Sequence, residues 1–282
     1  MLEEITPDSV FSQVLMEEPQ PSAVLLVEGP DEDAILYQHL SEGVVRIIAG
    51  GKKSVLGAAQ IASDAGMKHV FGLVDRDLDS LRGLDSYPPN VVSTDAYDLV
   101  ADLVGVLGDE ALRRALNAHA ASSLRAVETA ASRSIVDVVF GLTGPLAAVR
   151  LASLRSGYPL VLKNYDFRHV ITEMFEAADI SVYVAHSVRR SPDFIIDDSV
   201  ITDIRGRLTE VADRRHTGGH DLVGASVAVI AKGGAQVTKK AIAANLISFA
   251  TCDVLASVPC LRVLNERVAT TTATTLFDCV AA

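Results

Sequence analysis

Three carboxylates, Glu28, Asp75 and Asp77, carry the chemistry this chain is best equipped to do. Glu28 follows the apolar run Ala23–Val27, in Val27-Glu28-Gly29-Pro30. Asp75 and Asp77 follow a second run, Val70–Val74, in Val74-Asp75-Arg76-Asp77-Leu78-Asp79. Short aliphatic and β-branched runs bounded by turn residues read as buried strands, so each acid stands where a strand would end. In open α/β sheets that carboxyl edge is where sites form. Acids gathered there make an oxygen-only pocket suited to Mg2+ or Mn2+. Phosphodiester cleavage needs an activated water and a stabilised leaving oxygen, and a divalent ion supplies both. Taken singly, Asp75, Asp77 and Asp79 also read as turn formers, and Glu28 as an acid at a helix start. The joint placement of the two motifs, with a βαβ unit between them, favours the metal reading.

The elements that would position these acids alternate along the first third of the chain. After the run Ala23–Val27, Pro30-Asp31 opens a helix to about residue 40, with acids in its first turn where the helix dipole favours them. Val44–Ile48 is a second strand, Ala49-Gly50-Gly51-Lys52-Lys53 a tight loop, and Ser54 a candidate N-cap for a helix to about residue 65. Val70–Val74 is a third strand. Tyr87-Pro88-Pro89-Asn90 turns the chain into a short fourth strand at 91–92, and Asp95 is read as capping a helix to about 107. Such alternation implies a parallel sheet with right-handed crossovers. Beyond Gly108 the pattern turns helical: 109–131, 134–156, 167–178, 199–214, 219–231 and 238–265, with a further strand at 158–162. The organisation expected is a leader over 1–21, a small α/β domain over 22–107 and a mainly helical region over 108–282.

Composition narrows the functional classes. The chain has 282 residues and is 49% hydrophobic, so a large core is available. Its formal net charge is −11, which argues against a duplex binder that works by charge alone. A nuclease survives that test, because a metal ion neutralises acids locally and basic pairs such as Lys52/Lys53 can hold the backbone. With no Trp and 5% aromatics, the composition argues against a multi-base stacking platform. The apolar stretch 134–149 contains Asp137, Gly144 and Pro145 and reads as a buried helix rather than a membrane span. No basic, apolar leader follows Met1, so a cytoplasmic protein without membrane contact is expected. Cys252, Cys260 and Cys279 match neither a zinc spacing nor a disulfide framework and read as small buried apolar residues.

The segment Val27-Glu28-Gly29-Pro30-Asp31-Glu32-Asp33, followed by a βα unit and then Val74-Asp75-Arg76-Asp77, resembles a TOPRIM domain. That module is a small parallel sheet with a Glu after one strand, Asp-x-Asp after another, and Mg2+ at the acids. The resemblance covers about residues 22–105 and implies that Glu28, Asp75 and Asp77 are the catalytic and metal-binding residues, with Asp79 a further ligand. Gly50-Gly51-Lys52-Lys53-Ser54-Val55, Asp75-Arg76-Asp77-Leu78-Asp79 and Gly219-His220-Asp221-Leu222 are similar to stand-alone TOPRIM proteins of OLD-nuclease type. Some of those are effector subunits of anti-phage systems that pair an ABC-type ATPase with a TOPRIM nuclease, as in PARIS. By that resemblance a separate ATPase partner is implied. It also implies an acid two residues after Asp98, where this chain has Val100. Asp95, Asp98 and Asp102 share a face at helical spacing and are the substitutes, Asp95 and Asp98 being the weaker metal ligands of the set.

Two further motifs bear on phosphate. Gly50–Ser54 fails as a P-loop, because Lys53 stands where Ser or Thr is required and Arg46 where an upstream Gly is required. Lys52 and Lys53 can still touch a phosphate at the following helix N-terminus. His220 either orients a phosphate or is an exposed neighbour of a capping Asp221. The reading is therefore a Mg2+- or Mn2+-dependent TOPRIM nuclease acting on DNA or RNA, an anti-phage effector that lacks its own motor, works with an ATPase and can self-associate as a homo-oligomer. Two other classes remain: a non-catalytic TOPRIM scaffold, and a primase-like nucleotidyl transferase.

Overall fold

Val24, Leu25, Leu26 and Val27 are buried on both sides, as are Val70, Leu73 and Val74. Strands without a polar face must be covered twice, and this is the signature of a parallel sheet between layers. The strands are Ala23–Val27 (β1), Val44–Ile48 (β2), Val70–Val74 (β3) and Val91–Ser93 (β4), in the order β2-β1-β3-β4, all parallel. The fold class is α/β, with helices flanking this sheet and a helical C-terminal region, as the alternation predicts. This computed structural model describes residues 5–17, 20–189 and 195–278.

The helices are Pro7–Met16 (α1), Pro30–Leu36 (α2), Lys52–Asp64 (α3), Asp79–Arg82 (α4), Leu99–Leu107 (α5), Asp109–Ala131 (α6), Ile135–Ser156 (α7), Ile180–Val188 (α8), Asp198–Arg207 (α9), Gly219–Lys232 (α10), Lys239–Ser248 (α11), Cys252–Ser257 (α12) and Pro259–Thr272 (α13). They fall into two compact units: Met1–Arg76, Asp85–Val106 and Phe249–Ala282 form the first, Asp77–Leu84 and Leu107–Ser248 the second.

The first unit is wider than the contiguous span 22–107. Residues 7–16, expected in a leader, form α1 with a Thr6 capping box, and its Val10 and Val14 are buried in the core with Val24, Leu26, Val55 and Val70. At the other end of the chain α13 lies against β3 and β4, and Arg267 donates to the carbonyls of Pro89 and Val91 at 2.7 and 2.9 Å. Small residues set the spacing between layers. A Cβ added at Gly72 in β3 would stand 2.9 Å from Val55 Cγ1 of α3 and 3.0 Å from Val91 Cγ2, so only hydrogen fits there.

In the second unit α6, α8, α9 and α10 pack on α7. Among the described residues α7 is the one helix long and apolar enough to cross a membrane, and 67% of its apolar window is buried in protein. Arg150 of α7 forms an ion pair with Asp221 of α10, Nη2 lying 2.9 Å from Oδ1. Several expectations are corrected here. Residues 158–162 form no strand, and 167–178 no helix: Asp166 caps a single 3-10 turn, Phe167–His169, and Ile171 bridges Ala177. The span 238–265 is three helices, broken before Thr251 and at Pro259. Cys252 is disulfide-bonded rather than a plain thiol.

Gly72→Ala is expected to lower the stability of the sheet by about 1–3 kcal/mol through overpacking against Val55 and Val91. Urea denaturation measures it, and a variant as stable as its parent would show that the two valines give way freely.

Candidate functional site

The strand order places a topological switch between β1 and β3: the chain leaves β1 toward β2 on one side and returns to β3 on the other. Crevices at the carboxyl ends of the strands on either side of such a switch are where open α/β sheets bind ligands. Glu28 follows β1 and Asp75 follows β3, and Val27 is in register with Leu73. The two acids are therefore neighbours, and the backbone N–H of Asp75 donates to Glu28 Oε1 at 2.8 Å. Past the end of a strand an N–H has no ladder partner, and the carboxylate of the adjacent strand end takes that place. Glu32 does a similar service one turn later, its Oε2 accepting from Gly29 N at 2.8 Å.

The third acid of the motif is placed by chain continuity. Asp77 stands two residues beyond Asp75, a Cα separation of at most about 7 Å, and adopts φ 53. That left-handed conformation is uncommon outside Gly, Asn and Asp, and it ends the extended run; the second unit begins at this residue. Asp79 opens α4, is 7% exposed and forms an ion pair with Arg82, Nη1 to Oδ1 3.4 Å. Its carboxylate is engaged there, which weakens its expected place among metal ligands.

Arg76, between the two acids of the motif, reaches toward β4. Its N–H donates to Thr94 Oγ1 at 2.8 Å and its Nη1 to the Asp95 carbonyl at 3.0 Å. Thr94 in turn donates to the Ala96 carbonyl at 2.8 Å. The exits of β3 and β4 are thus tied together. The helix after β4 starts later than expected: Asp98, not Asp95, is the cap, its Oδ1 accepting from Ala101 N at 2.8 Å. Asp95 precedes the helix and shares no helical face with Asp98 and Asp102. Asp102 folds back instead, Oδ2 accepting from Asp95 N at 2.9 Å and Oδ1 from Ala96 N at 2.6 Å.

Cys260, in the first turn of α13, completes this clasp, its Sγ lying 3.3 Å from Asp102 Oδ2. Ligand atoms of Asp95, Asp102 and Cys260 all lie within 4.8 Å of one another, so the group could hold a metal ion. Burial raises the Asp102 carboxyl above its ordinary range, against the opposing pull of the two backbone N–H groups. Burial, reinforced by the charge of Asp102, pushes the Cys260 thiol well above its ordinary range, so an ion there must displace a firmly held proton. Cys260 was not foreseen as part of any site, because 158 residues separate it from Asp102 and its spacing to the other cysteines matches no ligand pattern.

The candidate phosphate contacts divide between the two units. Lys52 and Lys53 are the first residues of α3, with Gly51 as cap at φ 140; Ser54 is not the cap, and its hydroxyl donates to the Ile5 carbonyl at 2.8 Å. Lys53 is exposed and Lys52 half-buried. His220 lies in the second unit, exposed in the first turn of α10, where Gly218 is the cap and Asp221 is committed to Arg150. No protein-family model and no curated protein matched this chain.

Asp102→Ala removes the acceptor of two backbone N–H groups and one thiol. It is expected to cost about 2 kcal/mol or more, because buried donors left without acceptors are penalised. Amide hydrogen exchange at Asp95 and Ala96 should accelerate in the same variant; unchanged exchange there would mean that the loop after β4 does not depend on the clasp.

Proposed function

We propose that this protein is a Mg2+- or Mn2+-dependent nuclease of TOPRIM type, hydrolysing phosphodiester bonds in DNA or RNA. The observation that supports it is the contact between Glu28 and the start of the Asp75-Arg76-Asp77 motif at adjacent parallel strand ends beside the switch point. The donor set fits a hard divalent ion, being carboxylate oxygens only, and the side chain of the intervening arginine is directed at the Asp95 carbonyl rather than across the acids. Asp75 and Asp77 would hold the ion, and Glu28 would share it or take the proton of the attacking water. Such an ion supplies activation of that water and charge neutralisation at the leaving oxygen. Lys52 and Lys53 would hold the scissile strand.

The wider reading keeps the same footing. The Gly50–Ser54 loop lacks the pattern of a nucleotide-hydrolysing P-loop, so a motor would have to come from a partner, an ABC-type ATPase in a cytoplasmic anti-phage assembly. A second reading, a non-catalytic scaffold, is favoured by two observations. Glu28, Asp98 and Asp102 each accept backbone hydrogen bonds, and Val100 stands where a further acid is implied.

Glu28→Gln separates these readings, because the amide oxygen keeps an acceptor for Asp75 N while the charge is lost. The purified protein, alone and with an ATPase encoded beside it, is expected to cut DNA or RNA only with Mg2+ or Mn2+. The variant should fold normally and lose about 100-fold or more of that activity. Cleavage that survives in Glu28→Gln would remove Glu28 from the reaction, and no cleavage of either polymer with either metal would overturn the nuclease reading; the second outcome with Mg2+ binding retained supports the scaffold.

A further inference from the structure

Asp95, Asp102 and Cys260 take no part in the proposed reaction, and all three lie in the first unit. Their ligand atoms lie within 4.8 Å of one another where the fold places them. Asp102 is 6% exposed and Cys260 2%. Each Asp102 oxygen is aimed by a backbone N–H: Asp95 N donates to Oδ2 at 2.9 Å and Ala96 N to Oδ1 at 2.6 Å. Oδ2 also accepts from the Cys260 thiol at 3.3 Å. Asp95 is different. Its Oδ2 is sealed from solvent and accepts no hydrogen bond from any described residue. The neighbouring Arg76 gives its Nη1 to the Asp95 backbone carbonyl instead, and among the described residues neither acid has an ion-pair partner. A buried carboxylate oxygen without a donor is costly unless something positive reaches it.

We propose that Asp95, Asp102 and Cys260 bind one divalent transition-metal ion of the Zn2+ class, which locks the loop after β4 onto α13. The donors decide the class: a thiolate with two carboxylates is too soft a set for Mg2+ and suits Zn2+. No ligand has to be re-aimed. Bonds of about 2.3 Å to sulfur and about 2.1 Å to oxygen, at a tetrahedral angle, hold S and O about 3.6 Å apart. Cys260 Sγ and Asp102 Oδ2 are already 3.3 Å apart. On binding, the thiol proton passes to solvent and the ion takes its place between sulfur and oxygen. The two backbone hydrogen bonds to Asp102 remain and keep that ligand oriented, as outer bonds do at metal sites. Asp95 Oδ2 gives the second oxygen, which supplies the positive partner it lacks. Cys260 stands in the first turn of the 14-residue α13, where a helix N-terminus favours a thiolate. Asp95 is the partly exposed member, and from its side the ion enters and a water fills the fourth position.

The test uses the untagged full-length protein without added reductant, so that the Cys252 disulfide stays closed. The protein is stripped with EDTA and titrated with Co2+ and then Zn2+ in millimolar Mg2+. One equivalent of Co2+ should bind with visible d–d bands and a thiolate-to-metal charge-transfer band, and Zn2+ should abolish both. Zn2+ should also slow amide exchange at Asp95 and Ala96. Cys260→Ala should remove the charge-transfer band. Asp95→Asn should weaken binding at least about tenfold, the scale on which even supporting residues of metal sites act; if Cys260→Ala fails to fold, Asp95→Asn carries the test. No charge-transfer band in the wild type, a band that survives in Cys260→Ala, or equal affinity in Asp95→Asn overturns the proposal. Glu28→Gln should retain the band, because Glu28 belongs to the other set of acids. The nuclease reading is decided by cleavage, so either proposal can fail without the other.

Discussion

Where two parallel strands end side by side, the first N–H beyond one of them has lost its partner in the sheet, and burial makes that loss costly. In this protein the N–H belongs to Asp75 and the acceptor is the carboxylate of Glu28, one strand over. The contact does two jobs. It closes the end of the sheet, and it holds two acids together at the crevice that the strand order β2-β1-β3-β4 opens. Neighbouring segments accommodate that join: Asp77 turns the chain at positive φ, and Arg76 carries the tie across to the end of β4.

The sheet can hold that edge because its layers are close. Gly72 admits Val55 and Val91 to contact with β3, and α1 adds Val10 and Val14 to the same core. A second clasp, Asp102 with Cys260, binds the loop after β4 to α13. Burial raises both the Asp102 carboxyl and the Cys260 thiol above their ordinary ranges. The carboxylates of Glu28 and Asp75 and this thiol-bearing clasp are chemically distinct, although both lie in the first unit.

Much of this was written in local pattern. The runs 23–27, 44–48 and 70–74 emerged as β1, β2 and β3 with the same bounds; β1 and β3 are buried throughout and need an unbroken apolar run, whereas the edge strand β2 is half-buried, carries Arg46 and is marked by its β-branched residues. The acids after two of those runs could be named for the same reason. Helix starts were less visible. Ser54 and Asp95 are good caps by type, yet Gly51 and Asp98 occupy the caps, since Ser54 is drawn to the Ile5 carbonyl and Asp95 is held by Asp102. Residues 167–178 carry an apolar pattern compatible with a helix, but Asp166 and the Ile171–Ala177 bridge hold them in a turn.

What the amino-acid order determined by itself was the class of fold, the strands and the acids at their ends, all of which depend on neighbours within a few residues. Which acids meet was decided only in three dimensions. The contact of Glu28 with Asp75 spans 47 residues, and that of Asp102 with Cys260 spans 158. Contacts so distant in the chain are set by strand order and by which helix returns to cover the sheet, and neither leaves a mark on the spacing of residues.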